Sequence, residues 1–123
     1  MDSRHIELYS SSQTIEGFLR KRQAIYRYIL IETHKEIEFG SKKIDLPCFG
    51  IEIVREELTG DGAGCIEKDS IEFLTTYRYK AVQLLKKLYD NTVSPLHLID
   101  IAGIYADEWI KDFDEQLSAM AVQ

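Results

Sequence analysis

Cysteine, proline and basic charge near the C-terminus are the scarce commodities of this chain. It holds two cysteines, two prolines and one tryptophan in 123 residues. Cys48 and Cys65 stand far apart with no CxxC partner, so neither a disulfide framework nor a zinc knuckle is indicated. Two reduced thiols packed as small hydrophobes are the expectation, ahead of a redox pair or a metal site. No run approaches the ~20 apolar residues that span a bilayer, and the opening MDSRHIELYS lacks the apolar core of a secretory signal. A soluble cytoplasmic protein away from membranes is expected. No Pro/Gly-rich linker, repeat or low-complexity tract divides the chain, which therefore reads as a single domain over residues 1–123, with residues 1–14 loosely ordered or edge-like. No nucleophile elbow, HExxH or GxGxxG occurs, and no catalytic residue, metal ligand or cofactor is assigned.

Basic charge is short where it would matter for nucleic acid. The net charge is −6, and residues 94–123 hold one lysine, Lys111, against Asp100, Asp107, Glu108, Asp112, Asp114 and Glu115. A chain without a basic footprint lacks the counterion-releasing contacts that dominate affinity for phosphate backbones, so no nucleic-acid partner is expected. The stretch RKRQAIYRY, Arg20 to Tyr28, interleaves basic and aromatic residues as single-strand binders do. The reading preferred here packs Tyr26 and Tyr28 on one strand face, with Arg20, Lys21 and Arg22 solvated or meeting the acidic C-terminal helix.

What is present is apolar residues in two periods. Hydrophobic residues make up 45% of the chain, enough for a packed core. From Gln23 to Phe39 the Ile- and Tyr-rich run carries no helical stripe and predicts one long strand, or two joined near His34. CFGIEIVREEL alternates Phe49, Ile51 and Ile53 against Gly50, Glu52 and, less cleanly, Val54, predicting a half-buried strand. TGDGAG predicts a hairpin turn, since it lacks the lysine-serine end of a phosphate loop and the spaced acids of a calcium loop; CIEKDSIEF follows as a further strand. Short turns make these strands antiparallel.

The period then changes to that of a helix. Tyr77, Ala81, Leu84, Leu85 and Leu88 form one apolar stripe after a cap at Thr75 or Thr76, ending near Asn91. Leu98, Ala102, Tyr105, Trp109, Phe113, Leu117 and Met120 form a second, which Gly103 threatens to interrupt. NTVSPLHLID lies between them. Ser94 as N-cap and Pro95 in the first turn suffice to start a helix, and a short connection makes the two helices antiparallel neighbours. The expected fold is α+β: an antiparallel meander of three or four strands with two C-terminal α-helices packed on one face.

VSPLHLIDI, together with the lysine-rich helix before it and the strand FGIEI, resembles a family of small uncharacterised proteins of clostridia and related Firmicutes. The resemblance covers residues 23–104 and implies a strand meander, a helix and a bacterial cytoplasm, with no assigned activity. The chain departs from that pattern by continuing through WIKDFDEQLSAMAVQ.

Two functional constellations remain. His97 and Asp100 fall one turn apart and would serve a small metal-dependent or hydrolytic enzyme, but a nearby nucleophile or third ligand is missing, and a local structural pair is the simpler reading. His5 and His34 have no motif around them. The C-terminal helix is the stronger candidate. Asp107, Glu108, Trp109, Asp112, Phe113 and Glu115 read as a partner-binding surface, acidic and aromatic, for another protein of basic character or for a second copy of the chain. The reading is therefore a non-enzymatic interaction module or small regulator, of the kind a phage or mobile element could encode, with an enzyme or a small-molecule-binding domain as alternatives.

Overall fold

Four strands, β1 (Arg4–Glu16), β2 (Lys21–Phe39), β3 (Lys42–Leu58) and β4 (Gly64–Thr75), pair in chain order as one antiparallel sheet. Two helices follow, α1 (Arg78–Asp90) and α2 (Leu98–Ala121), joined through a 3-10 turn at Pro95–His97. This computed structural model describes residues 3–16, 21–58 and 64–122. Most of the glycine-rich connection expected around residues 59–64 lies outside the described residues, as does Arg20.

β2 is one unbroken strand with no bend at His34, and it pairs with β3 without a register shift from Gln23↔Leu58 to Phe39↔Lys42. Residues 4–16 form the edge strand β1, whose register against β2 shifts between Glu7 and Tyr9. β3 and β4 shift register between Phe49 and Ile51, where Gly50 faces three residues of β4. A β-carbon on Gly50 would fall against the Ile71 and Glu72 carbonyl oxygens, so only glycine lets β4 cross that closely.

One continuous core joins the sheet to both helices. Ala24, Tyr26, Tyr28 and Leu30 of β2 and Ile51 and Ile53 of β3 point to the same face and meet Ala81, Leu84, Leu85 and Leu88 of α1 and Leu98 and Ala102 of α2. The two helices thus cover one face of the meander, as the apolar stripes require. Burying side chains of this size removes about 1.5–3 kcal/mol worth of apolar surface from water for each.

Toward the tip of the β2–β3 hairpin the buried residues change parity to Ile31, Thr33, Ile44, Leu46 and Cys48. In a ladder without a register shift, that places the tip's buried set on the opposite face from Leu30 and Ile51. Two elements approach the tip. The Lys35 ammonium lies over the Phe73 ring of β4, and Lys42 Nζ donates to the Ala121 carbonyl at the end of α2.

The stretch NTVSPLHLID is the hinge between the helices. Val93 N–H donates to the Leu88 carbonyl and Thr92 N–H to the Tyr89 carbonyl, the paired bonds of a Schellman C-cap, with Thr92 at φ 48 where glycine is usual. Tyr28 OH donates to the Val93 carbonyl at 3.0 Å and fastens the hinge to the sheet. Ser94 stands at the start of the 3-10 turn without a side-chain capping bond, so Pro95 alone carries the start signal there. Gly103 sits inside α2 with open space around it, and the helix passes through it unbroken.

Candidate functional site

α1 and α2 run antiparallel across a narrow groove. Lys87 meets Tyr105 at one end, and Lys80 meets Trp109 and Asp112 at the other. On α1 the lining residues Lys80, Gln83, Leu84 and Lys87 follow the three- and four-residue spacing of one helix face, and Tyr105 and Trp109 answer them one turn apart on α2. The groove encloses about 180 Å³. Tyr105 and Trp109 stand tilted at 52° with ring centroids 5.2 Å apart, forming one wall.

At the inner end Asp112 is 1% exposed and fully engaged. Lys80 Nζ donates to both of its carboxylate oxygens, and Thr75 Oγ1 donates to Oδ2 at 2.8 Å. Thr76 Oγ1 donates to the Asp112 carbonyl, and Tyr77 N–H donates to Thr75 Oγ1. The Lys80 ammonium also lies over the Tyr77 and Trp109 rings. The hydrogen bond to Asp112 holds the Lys80 ammonium above the ordinary lysine value, outweighing the opposite effect of burial. The end of β4, the start of α1 and the middle of α2 are therefore tied at one carboxylate. Thr75 acts here as acceptor for the backbone just before α1, whose N-cap position is Tyr77.

The residues singled out on α2 fall in three places. Asp107, Glu108 and Glu115 are exposed on the outer side, as are Asp100 and Asp114. Trp109 is half-buried in the groove wall, and Phe113 is half-buried one turn further on. Asp112, read from the sequence as part of an acidic surface, is turned inward: on a 3.6-residue helix it follows Trp109 by one turn and so shares the buried seam. What sequence reasoning missed on the outer side is apolar. Ile99, Ile104 and Ile110 are 48%, 69% and 67% exposed beside those carboxylates.

His97 and Asp100 are both exposed at the start of α2. Among the described residues, no three His, Cys, Asp or Glu side chains gather into a metal-holding group. Cys48 is buried, and burial pushes its thiol pKa up; Cys65 is exposed near the start of β4. Tyr26 and Tyr28 of the basic-aromatic stretch are core residues, while Arg22 pairs with Glu57 and Arg27 with Glu7 and Glu56. Those arginines meet neighbouring strands and not the C-terminal helix. Among the described residues, no helix is long and apolar enough to cross a membrane.

An open antiparallel meander with two antiparallel helices on one face defines an α+β protein. The chain belongs to a family of unknown function (DUF6514), matched over residues 10–110, a span that runs from within β1 to just short of Asp112. No curated protein and no solved structure matches it.

Proposed function

We propose that the protein is a non-enzymatic interaction module that holds a basic protein partner against the outer side of α2. One observation carries the reading: Ile99, Ile104 and Ile110 stand in water among five exposed carboxylates. Asp100, Asp107 and Asp114 recur every seven residues, as do Glu108 and Glu115, so the acids line successive double turns of the same side. Lys111 is the only cation within α2. An acidic strip studded with branched apolar side chains suits a partner that offers lysines or arginines around apolar anchors. The same charge disfavours a second copy on this side, because pairing would set the two acidic strips against each other. The resemblance of VSPLHLIDI to clostridial proteins supports a bacterial cytoplasmic setting, where a small acidic regulator or a mobile-element inhibitor would act by charge complementarity.

The test compares three chains on affinity resin against cytosol of the source bacterium: the natural one, Asp107→Lys/Glu108→Lys, and Ile104→Ser/Ile110→Ser. The expected result is a partner of basic character held by the natural chain, released by raised salt, and lost with both variants. Retention of the same proteins by all three would end the proposal, as would a partner that is acidic.

A further inference from the structure

The groove between α1 and α2 carries a charge that no described carboxylate answers. In a chain of net charge −6, Lys87 makes no ion pair with any described residue. Its ammonium donates to the neutral Tyr105 hydroxyl at 2.9 Å and lies 5.6 Å from the centre of that ring. Lys86, its neighbour on the outward side of α1, pairs with Asp90 in the ordinary way. Lys80, the other lysine of the groove, is neutralised by Asp112, with Glu115 reinforcing the effect from further along α2. Of the two lysines that line the groove, Lys87 is therefore the one with no carboxylate partner among the described residues.

Its remaining walls are flat or apolar. Leu84 forms the buried floor, Tyr105 and Trp109 offer their rings from α2, and the Gln83 amide stands at the rim. At about 180 Å³ the space is comparable to the ~150 Å³ cavity that accepts a benzene ring in an engineered protein core.

We propose that this groove is a binding site for a small planar aromatic carboxylate. The ring lies against Tyr105 and Trp109 above Leu84, and the carboxylate accepts from Lys87 Nζ, displacing or sharing its bond to the Tyr105 hydroxyl. Offset or edge-on contact with the two rings favours a flat ligand over a saturated one of equal bulk. Flat apolar walls around one ammonium favour a ligand with a single small anionic group and a ring over inorganic phosphate, which has no apolar body to place against Leu84, Tyr105 and Trp109. This site faces the space between the helices, so it is separate from the outer strip of α2 and stands or falls independently of the partner proposed there.

Trp109 is the only tryptophan of the chain, so its fluorescence reports directly on the groove. The experiment titrates the full chain with benzoate, with cyclohexanecarboxylate and with inorganic phosphate at constant ionic strength. The expected result is a saturable change with benzoate, weaker binding of the saturated acid, and none of phosphate. Lys87→Gln, at an exposed position that leaves the fold intact, weakens benzoate at least about tenfold. Lys86→Gln leaves it unchanged. A response that never saturates, an equal response to phosphate or to the saturated acid, or equal affinity in the two lysine variants would overturn the assignment.

Discussion

Lys80 Nζ spans from α1 to both carboxylate oxygens of Asp112 on α2, at 2.9 and 2.8 Å, over a residue that is almost wholly out of water. Removing one partner of such a pair strands the other charge, which costs far more than the pair itself contributes. Asp112→Ala is expected to lower stability by about 3–5 kcal/mol, seen as a lower urea midpoint at unchanged slope. Lys80→Met should do comparable damage by leaving Asp112 alone with Thr75. The double variant Lys80→Met/Asp112→Leu should regain most of the loss. Simple addition of the two single losses would show that no coupling exists.

Two glycines make an opposed pair of expectations. Gly50→Ala forces a methyl onto the Ile71 and Glu72 carbonyls and should cost upward of about 3 kcal/mol, because backbone on both strands has to move. Gly103→Ala meets nothing within reach and should raise stability by about 0.5–1 kcal/mol through helix propensity. Thermal midpoints of both variants against the natural chain are sufficient; similar shifts in the two would contradict the crossing of β4 over Gly50.

Thr92 occupies the left-handed position of the Schellman cap, where a β-branched side chain is strained. Thr92→Gly is expected to stabilise the chain by about 1 kcal/mol, and Thr92→Val to give no gain. Denaturant melts would reveal the hinge as misassigned if glycine there were destabilising.

The alkaline limb of stability should carry the mark of Tyr28. Burial raises its phenol pKa well above the ordinary value, with Tyr26 and Tyr89 adding to the effect. A folded pKa above the unfolded one means that the unfolded chain releases its proton first. The contribution is therefore intact below the unfolded tyrosine value of about 10 and is lost progressively as pH rises above it, by about 1.4 kcal/mol per pH unit. Lys80, also raised, acts in the same direction above the ordinary lysine value. In Tyr28→Phe, urea midpoints measured from neutral to strongly alkaline pH should fall with a slope shallower by about one proton. An unchanged slope would place that phenol in water.

Much of the scaffold was legible in the sequence because period reports burial. Ala81, Leu84, Leu85 and Leu88 recur as a helix stripe and are buried as one; Ile51 and Ile53 alternate and are buried as a strand face. β1 was harder to see. Its register shift between Glu7 and Tyr9 breaks the two-residue period, and an edge strand with SSSQT in it has little apolar signal to give. The role of Asp112 was hidden for a different reason. Its helical position beside Trp109 marks it as inward, but its lysine lies on another helix, 32 residues upstream, and a single sequence does not say which distant charges converge. The exposed isoleucines of α2 were visible as letters and invisible as surface, since only packing decides which side of a helix with two apolar flanks is covered.

The β2–β3 ribbon buries one side near its root and the other near its tip. Sliding one strand by a single residue would turn every side chain over, so a slip would strand Leu30 and Ile51 in water at one end and Leu46 and Cys48 at the other, both at once. A misaligned ribbon could not keep half of its packing as a foothold. The long hairpin is thereby proofread from both ends, and alignment of its 17 paired positions becomes close to an all-or-none event in folding.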